Sequence, residues 1–409
     1  MGLTMTGEAL VWWGFVFVVL FGACVGSFLN VVILRMPEGI SVIHPPSRDA
    51  TGAKLAWWEN IPVLSWVLLR GRSRYSGERI SAQYPLIEAF TAVVFGGFYA
   101  VCYLVEWREP FFAAGLLGSW SVLGVTLILL ACLIAATVID ARHFIIPLGI
   151  PWTATVVAVV VLPLAALLGV PPAGLLEAGA IPDGMQPFVP VGERGALGAA
   201  TGGVIGLVIA VGLLWAGKLP VSFADEQELA DPSDPDEFLA YPHPRREMVK
   251  EFLFLGFPLV GTVLGLAIAG AMHQDGLTPL PVGLRVLSGV VCGYLVGCGL
   301  VWVTRILGTL GFGKEAMGLG DVHLLGAIGA VVGVYDVVVV FFVAPFFGIV
   351  GAVVLAVWSA VLSGRGGAEG GGDGGGGVRA IPYGPYLAAA AVLVVFVGRS
   401  RVDVFDILP

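Results

Sequence analysis

The residues that most clearly suggest catalytic chemistry are a glycine-rich turn and the carboxylate that follows it. Within residues 315–329, Gly318 and Gly320 precede Asp321, and an apolar run over 322–334 comes after it. Glycine lets the backbone turn sharply and approach a peptide closely, so Asp321 is expected at an N-cap-like position at the mouth of a short helix. Two interpretations stay open for Asp321 alone. It either caps a helix at the water interface, or it takes part in acid–base chemistry with a second carboxylate.

The composition of the 409-residue chain indicates a membrane protein. Hydrophobic residues make up 57% of the chain and charged residues only 12%, whereas charged residues are about a quarter of a soluble globular protein. The formal net charge of −8 is concentrated in loops, and no basic stripe indicates a nucleic-acid partner. All the cysteines fall in apolar stretches, which argues against disulfides and metal ligands: Cys24, Cys102, Cys132, Cys292 and Cys298.

Long apolar runs predict an all-α polytopic membrane protein with about ten transmembrane helices, since a spanning helix needs about 20 residues. The runs are 10–34, 85–105, 112–139, 148–170, 196–216, 252–272, 286–304, 322–334, 337–362 and 386–397, of which the eighth and tenth are short. The first run lacks a positively charged segment before it and a small-residue cleavage site. We therefore expect it to be a retained helix and not a signal peptide.

The positions of Lys and Arg near the ends of the runs predict the orientation of the chain. The segment 35–84 is rich in basic residues, which makes it cytoplasmic and puts the N-terminus outside: Arg35, Arg48, Lys54, Arg70, Arg72, Arg74 and Arg79. Counting the spans onward places both the end of the third and the start of the eighth at the cytoplasmic face. Asp140 and Asp321 are therefore expected on the same side of the membrane at similar depth.

Two aspartates at similar depth are suited to acid–base chemistry on a peptide bond. If they approach within hydrogen-bonding distance they cannot easily both be ionised, so the pair would share a proton. One would act as general base on a water and the other as general acid to the leaving amide, as in an aspartic peptidase. For Asp140 alone the alternative is an interfacial residue that ends a helix and forms a weak surface ion pair with Arg142.

Five sequence blocks resemble the prepilin peptidases, also called type IV leader peptidases, a family of membrane aspartic peptidases. The blocks are GSFLNVVILRMP at 26–37, NIPVLSWVLLRGR at 60–72 with ISAQYPLIE at 80–88, DARHFIIP at 140–147, EAMGLGDVHLLGAIG at 315–329 and IPYGPY at 381–386. They occur in the family's order along the chain. The resemblance implies that Asp140 and Asp321 are the catalytic pair, and that Gly318 and Gly320 form the turn that aims Asp321.

The activity implied by this resemblance is cleavage of the short basic leader from type IV prepilins or type II secretion pseudopilins. Cleavage would follow a glycine, at the cytoplasmic face of the bacterial inner membrane, with the prepilin and the lipid bilayer as partners and no cofactor for proteolysis. Many members also methylate the new N-terminus with S-adenosylmethionine, but no residue pattern here supports that cofactor independently. The sequence does not indicate an oligomeric state.

The cytoplasmic loop departs from the family's pattern. Many bacterial members hold a zinc ion there with two Cys-x-x-Cys pairs, whereas this chain has His-Pro-Pro-Ser at 44–47 and Ser-Arg-Tyr-Ser at 73–76. Serine is a poor zinc ligand. We therefore expect no zinc, and a loop held instead by packing of Trp57, Trp58, Ile61, Leu64 and Trp66. Because this region is usually linked to methyl transfer, the change also weakens the expectation of that activity.

The chain also has four candidate spans between its aspartates, where the family usually has two. The extra pair would leave an eight-helix family core, and an even number of added helices preserves the sidedness of Asp321. The predicted parts are 1–34, the first transmembrane helix; 35–84, the cytoplasmic loop domain without zinc cysteines; 85–195, membrane core with Asp140; 196–272, the inserted helix pair with an acidic cytoplasmic loop; and 273–409, membrane core with Asp321. The acidic loop is either a solvated linker or a docking site for a basic leader.

Two other functions remain as alternatives, a secondary transporter and a catalytically silent pilus-assembly scaffold. Glycine-rich breaks and carboxylates in the membrane also mark transporters, but no inverted repeat relates the two halves, and both aspartates lie at the ends of spans. One further substitution concerns His323, which stands where lysine is common in the family. It is either an interfacial side chain or a group that tunes the aspartate pair, and we assign it no catalytic role.

Overall fold

The computed structural model is almost entirely helical. It describes residues 2–44, 51–52, 55–105, 109–170, 189–223, 243–272, 280–313, 315–363 and 382–397. Within these residues the chain forms eleven α-helices and one short 3-10 helix, Trp57–Asn60. The α-helices are α1 Gly2–Arg35, α2 Leu64–Leu68, α3 Gln83–Tyr103, α4 Glu109–His143, α5 Gly149–Leu167, α6 Arg194–Trp215, α7 Pro244–Ala271, α8 Val282–Phe312, α9 Leu319–Val332, α10 Val334–Ser363 and α11 Gly384–Val397.

Ten of these helices coincide with the ten predicted spans. Eight are long and apolar enough to cross a membrane, namely α1, α3 to α8 and α10, while α9 and α11 are shorter apolar helices. The prediction of an all-α polytopic membrane protein is confirmed. The ends differ most for α1, which begins at Gly2, for α7, which begins at Pro244, and for α8, which ends at Phe312, because these helices continue through polar or charged residues beyond their apolar runs. The external position of the N-terminus stays a prediction.

The buried centre of the membrane core is the short helix α9. Ten of its fourteen residues are buried, and it contacts α4, α5, α8, α10 and α11. Glycines bring α8 and α9 close together: a Cβ on Gly293 would lie 2.0 Å from the carbonyl oxygen of Gly329. Such small-residue contacts let helix backbones approach in a membrane, so α9 is surrounded by protein on most of its circumference.

The predicted extra pair, α6 and α7, forms a closely packed hairpin. Glycines spaced four apart face each other across it, Gly198, Gly202 and Gly206 on α6 and Gly261 and Gly265 on α7. A Cβ on Gly202 would lie 2.0 Å from the carbonyl oxygen of Gly261, and a Cβ on Gly261 would lie 2.2 Å from that of Gly202. Both helices also contact α8. The hairpin therefore packs on the core through α8.

A methyl group on this glycine contact should loosen the hairpin. We expect Gly202→Ala to lower the free energy of unfolding by about 1–3 kcal/mol, the usual effect of overpacking, measured by reversible unfolding in lipid or detergent micelles. Gly212→Ala on the same helix is the control, because its Cβ would meet no atom within 4 Å. Alanine favours a helix over glycine, so the control should be unchanged or slightly more stable. Equal stability of the two variants would contradict the packing described here.

Hydrogen bonds hold the loop 35–84 together and join it to α3. The indole Nε1 of Trp66 donates to the carbonyl oxygen of Ile80 at 3.1 Å, and the backbone N–H of Val63 donates to Glu88 Oε2 on α3 at 2.6 Å. The guanidinium of Arg74 lies 5.6 Å from the ring centroid of Trp58. The expectation that Leu64 packs in the loop is wrong, because its side chain is 58% exposed. The side chain of Trp57 lies outside the described residues.

Candidate active site

Asp321 lies in the first turn of α9 and not at its N-cap. The N-cap is Gly318, in extended backbone with φ −74° and ψ 152°, and Asp321 is the third helical residue. From there its carboxylate reaches back and accepts a hydrogen bond from the backbone N–H of Gly318, as the third residue of a helix does in a capping box. The prediction of an N-cap aspartate is therefore wrong by three residues, because the helix begins earlier, at Leu319.

The Asp321 carboxylate is buried and only partly bonded. The residue is 8% exposed, and its Oδ1 has no hydrogen-bond partner among the described residues. Burying a polar atom without a partner is costly, so such atoms call for an explanation. A carboxylate oxygen in this condition is available to accept or to donate a shared proton.

The two glycines of the turn have different structural requirements. A Cβ on Gly320 would lie 2.7 Å from Cβ of Ile146 and 3.2 Å from its carbonyl oxygen. The chain after α4 therefore packs directly against the backbone at Gly320, and only a residue without a side chain fits. A Cβ on Gly318 would meet the Asp321 Oδ2 at 3.6 Å, an ordinary contact. Gly320 is thus the glycine that close packing demands.

Asp140 occupies the last turn of α4 and is fixed by the start of α11. It is 5% exposed, and its Oδ2 accepts a hydrogen bond of 3.0 Å from the backbone N–H of Gly384. Glycine is needed here too, since a Cβ on Gly384 would lie 2.7 Å from that Oδ2 and 3.0 Å from Cδ1 of Ile146. Arg142 donates to Oε1 of Gln83 at 2.9 Å, and no ion pair joins it to Asp140 in the described part of the chain.

The structure brings Asp140 and Asp321 together at one end of the bundle. Ile146 lies against Gly320 on one side and near Gly384 on the other, so a single side chain joins the surroundings of both carboxylates. The helices α4, α9 and α11 contact one another, and the negative charge of Asp140 acts on Asp321. Burial of both carboxylates, and the effect of one charge on the other, are features that acid–base chemistry by a shared proton needs.

Tyr383 is a neighbour of the pair that sequence reasoning did not single out. Burial and, to a lesser extent, the charge of Asp321 raise the pKa of its phenol to about 12. Its hydroxyl therefore stays protonated at neutral pH and can donate a hydrogen bond. The block 381–386 carried the only signal, as part of the family resemblance, but its residue types indicated no chemistry. Ile146 and Gly384 were missed for the same reason.

His323 faces neighbouring helices. Its Nδ1 lies 2.9 Å from the hydroxyl oxygen of Tyr294 on α8, and its ring centroid is 5.7 Å from that of Trp152 on α5. The side chain is only partly exposed. These contacts give His323 a packing role between α5, α8 and α9.

The loop 35–84 shows what serine does at one of the two positions where the family resemblance implies a cysteine pair. Ser73 Oγ accepts hydrogen bonds from the backbone N–H groups of Tyr75 at 3.1 Å and Ser76 at 3.4 Å, and so closes a turn. Residues 45–47 lie outside the described residues. Among the described residues no three His, Cys, Asp or Glu side chains are grouped so as to hold a metal ion, and the absence of zinc stays a prediction.

Metal removal tests that prediction directly. We expect the purified protein to contain no stoichiometric zinc by elemental analysis, and a chelator to leave its thermal unfolding unchanged, because serine hydroxyls do not replace thiolates. A zinc-binding relative with both cysteine pairs serves as the positive control. Zinc bound at one ion per chain, with a lower unfolding temperature after chelation, would show that the loop keeps a metal through other ligands.

Two segments of the chain match models of known peptidase families. Residues 20–102 match the bacterial peptidase A24 N-terminal domain, and residues 253–373 match the type IV leader peptidase family. Two segments of the chain are therefore similar to the models of this peptidase family. Asp321 and its glycine turn lie inside the second matched segment, whereas Asp140 lies between the two. The second segment also begins within α7, so the assignment of α7 to an insertion in this family stays a prediction.

Several relatives in the type IV leader peptidase family are named prepilin leader peptidase/N-methyltransferase. The chain is 38% identical over 151 residues to the one from Xanthomonas campestris pv. campestris, covering 31% of this chain and 47% of that relative. It is 41% identical over 135 residues to the one from Myxococcus xanthus, covering 33% of this chain and 36% of that relative. It is 38% identical over 146 residues to the one from Klebsiella pneumoniae, covering 34% of this chain and 57% of that relative.

These matches cover only part of the relatives. The chain spans between 36% and 57% of the length of those three proteins. No solved structure matches the chain significantly. The activity of the whole protein is therefore a proposal.

Proposed function

We propose that this protein is a prepilin leader peptidase, a membrane aspartic endopeptidase that removes the basic leader of type IV prepilins or type II secretion pseudopilins. The observation that carries the proposal is the meeting of two buried carboxylates, Asp140 and Asp321, beside a glycine turn, in a chain whose residues 253–373 match the type IV leader peptidase family. Neither carboxylate has a described ion-pair partner that would neutralise it.

The chemistry follows from a proton shared by the pair. The ionised carboxylate takes a proton from water, whose oxygen attacks the carbonyl carbon of the scissile peptide bond. The protonated carboxyl group then gives its proton to the leaving amide nitrogen as the tetrahedral intermediate collapses. The N–H groups of Gly384 and Gly318 hold one oxygen of Asp140 and the carboxylate of Asp321, which keeps the carboxylates oriented through both steps.

The proposed location is the cytoplasmic face of the bacterial inner membrane, with the N-terminus outside. The support is the run of basic residues in 35–84, which the positive-inside rule places in the cytoplasm. Asp140 and Asp321 lie on the same side by the count of predicted spans. A leader peptide carrying basic residues would reach the pair from that compartment.

Methylation of the new N-terminus is a separate proposal. The relatives' names include N-methyltransferase, and S-adenosylmethionine would be the methyl donor if the activity is retained. Mass spectrometry of the cleaved pilin with and without S-adenosylmethionine measures this directly. Proteolysis itself is expected to proceed without the cofactor.

A cleavage assay tests the main proposal. Purified protein in lipid is given a prepilin, and the product is located by mass spectrometry; the Asp140→Asn/Asp321→Asn double variant is the control. Leader removal by the parent and none by the double variant is the expected result. No cleavage by folded parent protein favours the silent scaffold, and transport of a solute that survives both substitutions favours the transporter.

A further inference from the structure

A buried ionic contact joins the α6–α7 hairpin to α8. Arg305 on α8 is 1% exposed and Glu251 on α7 is 3% exposed. The Nε of Arg305 lies 3.1 and 3.2 Å from the two carboxylate oxygens of Glu251. The indole Nε1 of Trp302 donates to the same carboxylate at 2.8 Å. Glu251 is therefore the buried counter-charge that holds this guanidinium in place.

The other end of the same guanidinium reaches the glycine turn that precedes Asp321. Its Nη1 donates to the carbonyl oxygen of Met317 and to the carboxylate of Glu315. Met317 directly precedes Gly318, whose N–H bonds the Asp321 carboxylate. A chain of contacts thus runs from the hairpin, through Arg305, to the backbone that carries Asp321.

Two further contacts hold the segment between α8 and α9. The backbone N–H of Ala316 donates to Thr309 Oγ1 at 3.1 Å, and Arg245 of α7 donates from its Nε to the carbonyl oxygen of Leu310 at 3.0 Å. Residues of α7 therefore hold the end of α8 as well as Arg305. Among the described residues, no other hydrogen bond fixes the carbonyl of Met317.

The geometry of the guanidinium explains why both partners are needed. Arginine presents its donors in a rigid fork, so the direction of Nη1 depends on where Nε is held. With Glu251 uncharged, the buried cation loses a close counter-ion and is drawn toward Glu315, whose side chain is 41% exposed. That shift would release or displace the Met317 carbonyl and change the entry to α9.

We propose that Glu251 and Arg305 are positioning residues for Asp321, and that the α6–α7 hairpin thereby supports the active site. The catalytic part of this inference rests on the proposed peptidase function. The structural part, control of the turn 315–320 by Glu251 through Arg305, does not.

The test compares Glu251→Gln and Arg305→Lys with a matched control, Glu247→Gln. Glu247 lies on the same helix and is 4% exposed, but it accepts hydrogen bonds from the Phe223 N–H at 2.8 Å and from Lys250 at 2.9 Å. The Phe223 ring lies 5.2 Å from the Arg305 guanidinium, and glutamine can still accept from the Phe223 N–H, so the control should keep that contact. Arg305→Lys keeps the positive charge but lacks the fork. Only variants that elute as folded protein are compared. If Arg305→Lys does not fold, the comparison relies on Glu251→Gln alone.

The first readout does not need activity. Hydrogen exchange of the amides in 315–320 should be at least about tenfold faster in Glu251→Gln and Arg305→Lys than in the parent, since local opening governs exchange, and unchanged in Glu247→Gln. Exchange that is the same in all four proteins would overturn the proposal, whether or not the parent cleaves prepilin.

The second readout separates positioning from binding. Glu251→Gln and Arg305→Lys should each lower kcat for prepilin cleavage by about 10- to 100-fold and keep KM within about threefold of the parent value, as expected when a reacting group is misplaced. The control, Glu247→Gln, should keep kcat within about twofold of the parent value. Full kcat in folded Glu251→Gln would also overturn the proposal. If the parent cleaves nothing, the peptidase assignment fails while the exchange result still decides the structural part.

Discussion

Replacing Asp321 by asparagine is expected to lower kcat for prepilin cleavage by at least about 10³-fold, and Asp140→Asn by a similar factor. An amide can neither take a proton from water nor donate one to the leaving nitrogen, while it keeps the size of the side chain. It can still accept the N–H of Gly384 or Gly318, so folding should persist. Single-turnover cleavage of a prepilin in lipid measures the effect.

The double variant distinguishes a pair from two separate contributors. If the carboxylates share one proton, Asp140→Asn/Asp321→Asn should be hardly slower than either single variant, because groups that act as a unit are strongly non-additive. Asp336→Asn, in the first turn of the next helix α10, is the matched control and should keep parental kcat. Full cleavage by either single variant would show that the pair is not the catalytic machinery.

The second large effect is expected from a single methyl group on α11. A Cβ on Gly384 would lie 2.7 Å from Oδ2 of Asp140 and 3.0 Å from Cδ1 of Ile146, so Gly384→Ala must push α11 or the carboxylate aside. Displacing a reacting group by about 1 Å can cost roughly 10²-fold in rate. We expect a loss of that order in kcat, measured in the same assay.

A control for Gly384→Ala comes from a helical glycine with free space around it. A Cβ on Gly299 of α8 would meet no atom within 4 Å, so Gly299→Ala should keep both the fold and the rate. Parental kcat in folded Gly384→Ala would mean that Asp140 does not need its present position. The assignment of α11 to the active site would then fail.

The sequence predicts the membrane helices well because hydrophobicity is a local property of each run. It also places Asp140 and Asp321 on one side of the membrane, since sidedness follows from counting spans. The contact of Ile146 with Gly320 and its approach to Gly384 depend on how three helices pack. The residue types alone do not predict that packing. Apolar and glycine residues at these positions look the same as those that only fill a membrane bundle.

Three other differences have specific causes. Asp321 is the third residue of α9 and not its N-cap, because the extended N-cap residue is Gly318, and a glycine pattern does not fix that register. The helices α7 and α8 continue through Glu251 and Arg305, which apolar runs exclude, because burial pairs these charges with each other. Leu64 was expected inside the loop but is exposed, since the one-turn helix α2 has no buried residue.

The length of α9 bears on how the chain is assembled. Fourteen residues rise about 21 Å at 1.5 Å each, less than the roughly 30 Å of a bilayer's hydrocarbon layer. A segment that short, with an aspartate in its first turn, has little tendency to enter lipid by itself. Its close glycine contact with α8 provides the packing that stabilises it within the membrane. During biosynthesis we expect α9 to leave the translocation machinery as a partner of α8, so the acidic centre would form only once the two are paired.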